Sequence, residues 1–259
     1  MPGPRSFLVD RLGAGVPSRS RSALAMSAGA SSAMKCPQVT VECRRSVAQA
    51  PHRAAASYPS RLQARCARAD LAGADHHAQA ADALAERHEL PLASVFTTWY
   101  RALRTSMTEP LYTAEAAYRG AAALLDGCGM PGLESGLLPL ALLCLYVRHE
   151  QHLVPEPLGD WGPYEPWVRP LLLVAEGREE EAARLLTSLP SPPRDLLHEA
   201  LWCLLAHTAI RVGDRTTMRR AHTALAPAAG ELAGAGSGLL SLGPVAAWLE
   251  ALAAGLRHT

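Results

Sequence analysis

Residues 167–190, WVRPLLLVAEGREEEAARLLTSLP, and residues 202–227, WCLLAHTAIRVGDRTTMRRAHTALAP, repeat one arrangement. Each opens on a tryptophan, Trp167 or Trp202, and continues as an apolar run. A glycine and charged residues follow (Gly177-Arg178-Glu179, Gly213-Asp214), then a second apolar segment with alanine at the packing position (Ala182, Ala221). The two glycines stand 36 residues apart. A period of that length, made of two helices joined by a glycine turn, is the signature of stacked helical hairpins of the tetratricopeptide kind. The expected fold is all-α: a tetratricopeptide-like hairpin array, or α-solenoid, in which each unit buries its apolar face on its neighbours.

The pattern extends in both directions from this pair. Toward the N-terminus, Arg61 to Ala69 and Ala78 to Arg87 read as a first hairpin with Gly73 as its turn residue. Leu92 to Met107 and Thr113 to Leu125 read as a second, with Leu92, Val95, Phe96, Trp99 and Leu103 facing Ala117, Ala121, Leu124 and Leu125. Gly127, Gly129, Pro131 and Gly132 break the pattern before a third apolar helix, Leu137 to His149. With Trp167 near an N-cap, Pro170 falls in the first turn of its helix, where a missing N–H costs nothing. Arg178 to Leu189 completes that hairpin. Asp195 is expected to cap Leu196 to Val212, and Thr216 to Leu225 returns from it. The glycine-rich stretch Gly230 to Gly238 reads as a flexible approach to a capping helix from Pro244 to Leu256. The whole makes about five hairpins over 61–259.

Composition agrees with helices. Of 259 residues 49% are hydrophobic, enough for a substantial core, yet phenylalanine occurs twice and isoleucine once. A shortage of aromatic and β-branched residues disfavours sheets. Lys35 is the single lysine, which excludes a P-loop lysine or Schiff-base lysine in the helical part.

Charge divides the chain. Residues 1–70 carry eleven basic and three acidic residues, and the remainder fourteen basic and twenty-one acidic. An acidic helical body argues against a broad phosphate-binding face and against direct nucleic-acid contact by that body. Residues 1–60 are rich in Arg, Ser, Ala, Gly and Pro without apolar periodicity, and read as a disordered basic leader. Ser22 to Ala33 is too small and polar for the apolar core of a secretory signal. No apolar run reaches the roughly 18 to 20 residues of a membrane span. Cys36, Cys43, Cys66, Cys128, Cys144 and Cys203 form no CxxC pair, and the last two with Cys66 lie in apolar helical contexts, as buried thiols of a cytoplasmic protein would.

The chemical candidates are few. His149 and His152 stand three apart, whereas a zincin helix needs its histidines four apart with a glutamate between, so a helix end is the better reading. Gly234-Ala235-Gly236-Ser237-Gly238 lacks the lysine of a phosphate loop and has no strand before it. Glu179-Glu180-Glu181 suits a helix N-terminus, where acids interact well with the dipole. Trp167 and Trp202 occupy similar positions in the period and read as packing between hairpins. Trp161 and Tyr164 lie outside the period, and with Arg169 they form the candidate binding surface.

Six stretches carry a family likeness: RLQARC (61–66), AERHELPL (85–92), VFTTWY (95–100), GLESGLLP (132–139), DWGPYEPWVR (160–169) and GAGSGLLSLGP (234–244). In wording and order they resemble the C-terminal region of actinobacterial SARP-type transcriptional regulators, the antibiotic-regulatory factors that contain a bacterial transcriptional activator domain (BTAD). The resemblance covers about residues 61–257. It implies a tetratricopeptide-like tail that follows a winged helix-turn-helix and an activator domain. This chain shows neither of those patterns, nor a nucleotide-binding loop, so DNA binding and ATP use are not carried over. The expectation is a truncated or frame-shifted product that keeps the regulator's tail.

The function expected is a non-enzymatic interaction or signal-receiving module with a protein or peptide partner, no cofactor, no metal and no membrane contact. Two alternatives stand beside it. One is a small-molecule or metal-dependent enzyme using the His149/His152 region, and the other is DNA binding through the basic leader.

Overall fold

A computed structural model describes residues 60–89, 91–125, 131–150 and 159–258. Its helices are α1 (60–67), α2 (Leu71–His88), α3 (Pro91–Thr108), α4 (Leu111–Ala122), the short α5 (Pro131–Glu134), α6 (Leu137–Arg148), α7 (Glu165–Ala175), α8 (Glu179–Ser188), α9 (His198–Val212), α10 (Arg215–Leu225) and α11 (Val245–His258). Among the described residues there is no strand; Leu232 and Pro244 form one isolated antiparallel bridge. The all-α expectation holds for this part of the chain. The expected leader lies outside the described residues, as do His152 and Cys128.

The repeat that opened the reading is two helical hairpins in succession. Helix α7 packs on α8 and α9, α9 on α10 and α11, and α10 on α11. Gly177 and Gly213 end α7 and α9 in the left-handed region, at φ +77° and +74°, where a Cβ would crowd the following carbonyl. After Gly177 the amides turn back onto the helix, Gly177 N to Val174 O at 3.0 Å and Arg178 N to Leu173 O at 2.8 Å. After Gly213, Asp214 accepts from Thr216 N at 3.0 Å and starts α10. Ala182 and Ala221 are fully buried, as the pattern requires.

Upstream, α2, α3, α4 and α6 pack each on the next. Polar pairs fix α2 against α3. Thr97 donates to Asp82 at 2.6 Å, Arg101 pairs with the same carboxylate, and the Tyr100 hydroxyl donates to Asp75, whose other oxygen meets Arg104 at 3.4 Å. Helix α6 is buried almost all round, from Leu137 to Val147, as expected of a helix apolar on every side.

Several local expectations need correction. Gly73 is not a turn residue: it lies in the first turn of α2, where its amide donates to the Asp70 cap at 2.9 Å, and Ala69 takes the left-handed position at φ +58°. Helix α4 begins at Leu111 behind Pro110 rather than at Thr113. Leu92 and Leu124 do not join the apolar face; both are nearly half exposed. Asp195 caps a turn at Leu197, and α9 starts at His198. Pro170 is not in a first turn, because the 3-10 turn Gly162–Tyr164 runs straight into α7 and puts Pro170 inside the helix.

The largest correction concerns the glycine-rich stretch. It is a buried part of the fold. Ala233 and Ala235 are inaccessible and Ser237 nearly so. Ala233 and Leu242 close the loop on itself, Ala233 N to Gly243 O at 2.8 Å and Leu242 N to Ala233 O at 3.0 Å. The same loop grips α1: Leu232 N donates to Ala67 O at 2.8 Å and Gln63 Nε2 to Ser237 O at 3.1 Å. Leu62, Cys66, Ala74, Ala78, Tyr100 and Ala235 form a joint apolar cluster. Helix α1 therefore rests on the loop that precedes α11.

Candidate functional site

The sequence candidates Trp161, Tyr164 and Arg169 take separate structural roles. Asp160 accepts from Gly162 N at 2.9 Å and from the Ser135 hydroxyl at 2.8 Å, and these bonds, the first more than the second, hold its carboxyl below its usual pKa. That clamp fixes the corner before α7. Trp161 is half-buried against the main core, and its carbonyl accepts Tyr164 N at 3.0 Å. Tyr164 is buried, so it is not the surface anchor expected of it; burial first and the nearby Asp195 second raise its hydroxyl pKa. Arg169 lies 4.0 Å from Glu176, a carboxylate that Arg178 holds at 2.7 Å. Trp167 donates from Nε1 to Pro190 O at 3.1 Å, which ties the start of α7 to the end of its own hairpin.

His149 follows α6, and its Nε2 faces the Arg148 guanidinium at 3.5 Å; burial and that cation lower its pKa. Among the described residues no three His, Cys, Asp or Glu side chains are grouped to hold a metal ion. The Gly234–Gly238 loop uses its own polar groups, Ser237 Oγ to Gly234 O at 2.6 Å and Leu239 N to Ser237 Oγ at 3.0 Å. Arg178 clasps Glu181 through two nitrogens, at 2.8 and 2.6 Å, within the acidic first turn of α8. Cys66, Cys144 and Cys203 are free and buried, and burial pushes the Cys66 and Cys144 thiols up to about 12, where thiolate chemistry is shut off.

Sequence reasoning missed a groove beside α9 and α10. It encloses about 870 Å³ between the proline-rich 190–195 loop, the start of α9 and the exposed side of α10. Its floor is Trp202, which is 3% exposed and whose indole Nε1 has no hydrogen-bond partner. Arg220 lies over that ring at 5.5 Å, a cation–π distance, and reaches Leu189 O and Ser191 Oγ at 3.4 and 3.3 Å, long for hydrogen bonds. His198 meets Trp202 edge-on at 6.4 Å. Its Nδ1 lies 2.8 Å from Pro193 O, and since a carbonyl only accepts, Nδ1 carries the hydrogen there.

The groove lining brings together three arginines and three carboxylates, Arg194, Arg219 and Arg220 with Asp195, Glu199 and Glu231. Helix α10 carries Arg215, Arg219, Arg220 and His222 without one acidic residue. Some arginines elsewhere find carboxylates, as in Arg65–Asp70, Arg119–Glu115 and Arg178–Glu181, while Arg184 on α8 reaches only the Glu180 carbonyl. Arg194, Arg219 and Arg220 make no such pair among the described residues, although Asp195, Glu199 and Glu231 line the same groove. The available signals in sequence were the Pro190–Pro193 loop and the acid-free helix. Their convergence on Trp202 is a product of the tertiary fold.

Comparison with known proteins found no matching family model, no matching curated protein and no matching solved structure.

Proposed function

We propose that the chain is a non-enzymatic, tetratricopeptide-like helical-repeat module that receives a protein or peptide partner, and that it corresponds to the C-terminal region of a SARP-type transcriptional regulator. One observation carries the module reading: α7–α8 and α9–α10 repeat a hairpin with left-handed glycines in register, and α11 packs on the second hairpin as the next helix of such a stack would. Stacked hairpins leave their outer faces free for binding while burying the inner ones. The regulator assignment rests on the six stretches of sequence likeness, and the working compartment on this reading is the cytoplasm. No helix among the described residues is long and apolar enough to cross a membrane.

The test is affinity purification of the tagged full chain after cross-linking in its host, together with transcript profiling of a deletion strain. The expected result is a stoichiometric protein partner and a coherent set of altered transcripts that the full chain restores. A chain recovered alone from a strain whose transcripts do not change on deletion would overturn the proposal.

A further inference from the structure

We infer that the Trp202 groove is the contact surface of this module and takes an extended peptide with isolated carboxylates between neutral residues. The inference rests on the interaction-module reading and names the chemistry of its partner. Three guanidiniums line the groove without a carboxylate in ion-pair range, Arg194 from the loop wall and Arg219 and Arg220 from the helix wall. Guanidinium groups in a recess bind carboxylates through paired N–H donors, more strongly than neutral hydrogen bonds do. The floor is Trp202, 3% exposed, whose indole N–H has no partner, as the N–H of Trp99 in the core has none. Arg220 covers that floor with long hydrogen bonds, for which an incoming carboxylate would compete.

The acidic residues of the groove define what is refused. Asp195 is engaged through one oxygen with Leu197 N at 2.9 Å. Glu199 and Glu231 remain on the lining and repel a continuous acidic run. A segment with single glutamates or aspartates separated by neutral residues places charge on the arginines and avoids both glutamates. The groove volume lies within the range of small recognition sites, enough for a few residues of an extended chain.

The experiment uses the full chain and three fluorescein-labelled, acetylated and amidated nonapeptides. One carries two glutamates spaced by alanine, leucine and proline, one has lysine in place of each glutamate, and one is a run of glutamates. Fluorescence anisotropy is expected to show binding of the spaced-glutamate peptide, weakening as salt rises, and tenfold or greater loss in Arg219→Glu. Arg184→Glu, the same charge change on α8 outside the groove, is expected to bind as the parent does. Glu199→Gln is expected to improve binding of the glutamate run. Equal binding of the lysine peptide, equal loss in the two arginine variants, or full displacement by millimolar inorganic phosphate would each overturn the inference. A failed peptide arm beside an intact cross-linked partner would remove this groove and leave the module reading standing.

Discussion

The backbone amide of Leu232 donates to the carbonyl of Ala67 at 2.8 Å, so the loop that leads to α11 also holds α1. The stability of α1 is thereby coupled to residues far away in sequence.

Gly238 is the residue most exposed to this coupling. It sits at φ +74°, and a Cβ there would lie 3.2 Å from Leu62 Cδ2. Gly238→Val is expected to cost about 2 to 3 kcal/mol in urea unfolding, through a strained backbone and displaced α1. Gly230→Ala, with open space and no left-handed φ, is expected to stay within about 0.5 kcal/mol. Equal midpoints for the two variants would deny the contact.

The two turn glycines make a second pair. Nothing lies within 4 Å of a Cβ at Gly177 or Gly213, so their requirement is the dihedral alone. Alanine at either position is expected to cost about 1 to 2 kcal/mol and asparagine less, because asparagine tolerates the left-handed region better. Thermal unfolding of the four variants gives the order; alanine as stable as glycine would contradict it.

His207 on α9 faces Trp248 at 6.2 Å, and burial, followed by Arg211, lowers its pKa from 6.5 to about 4, against an opposing pull from Glu150. Its folded pKa is depressed, so the neutral form is the one the fold accepts. The contribution to stability is full above pH 6.5 and is lost as pH falls from 6.5 toward 4, by up to about 3 kcal/mol. His207→Phe is expected to flatten that part of the stability profile; an unchanged slope in urea titrations at pH 7, 6, 5 and 4.5 would refute the assignment. His149, also lowered, leaves a residual slope of the same sign.

Trp202 separates packing from hydrogen bonding. Its Nε1 has no partner, so Trp202→Phe removes no bond and is expected to cost about 1 kcal/mol or less. Trp202→Ala leaves a cavity beneath Arg220 and is expected to cost about 3 to 5 kcal/mol. Similar midpoints for the phenylalanine and alanine variants would place the ring outside the core.

Legibility in the sequence followed the range of the interactions. The α7–α10 hairpins were readable because their signals are local: apolar spacing and a glycine at the end of α7 and of α9. Helices α3 and α6 were readable to within a residue or two for the same reason. Gly73 misled because Asp70 caps the helix ahead of it and Ala69 takes the left-handed turn that glycine usually fills. Leu92 and Leu124 fit the helical period but fall at its edge, and spacing alone does not show how far a neighbour reaches. The glycine-rich loop looked free because its partners, Ala67 and Gly243, are set by the tertiary fold. The groove was hidden for the same cause: Arg194, Trp202 and Arg219 belong to three different elements.

The contact between α1 and the 232–243 loop is tested most directly by hydrogen–deuterium exchange of the full chain, followed by mass spectrometry at peptide resolution. The prediction is that peptides spanning 60–67 and 232–243 exchange slowly and together, with Gly238→Val releasing both while 198–212 stays protected. Exchange of the 232–243 peptide at the rate of an unstructured coil, with 60–67 unaffected by the substitution, would contradict it.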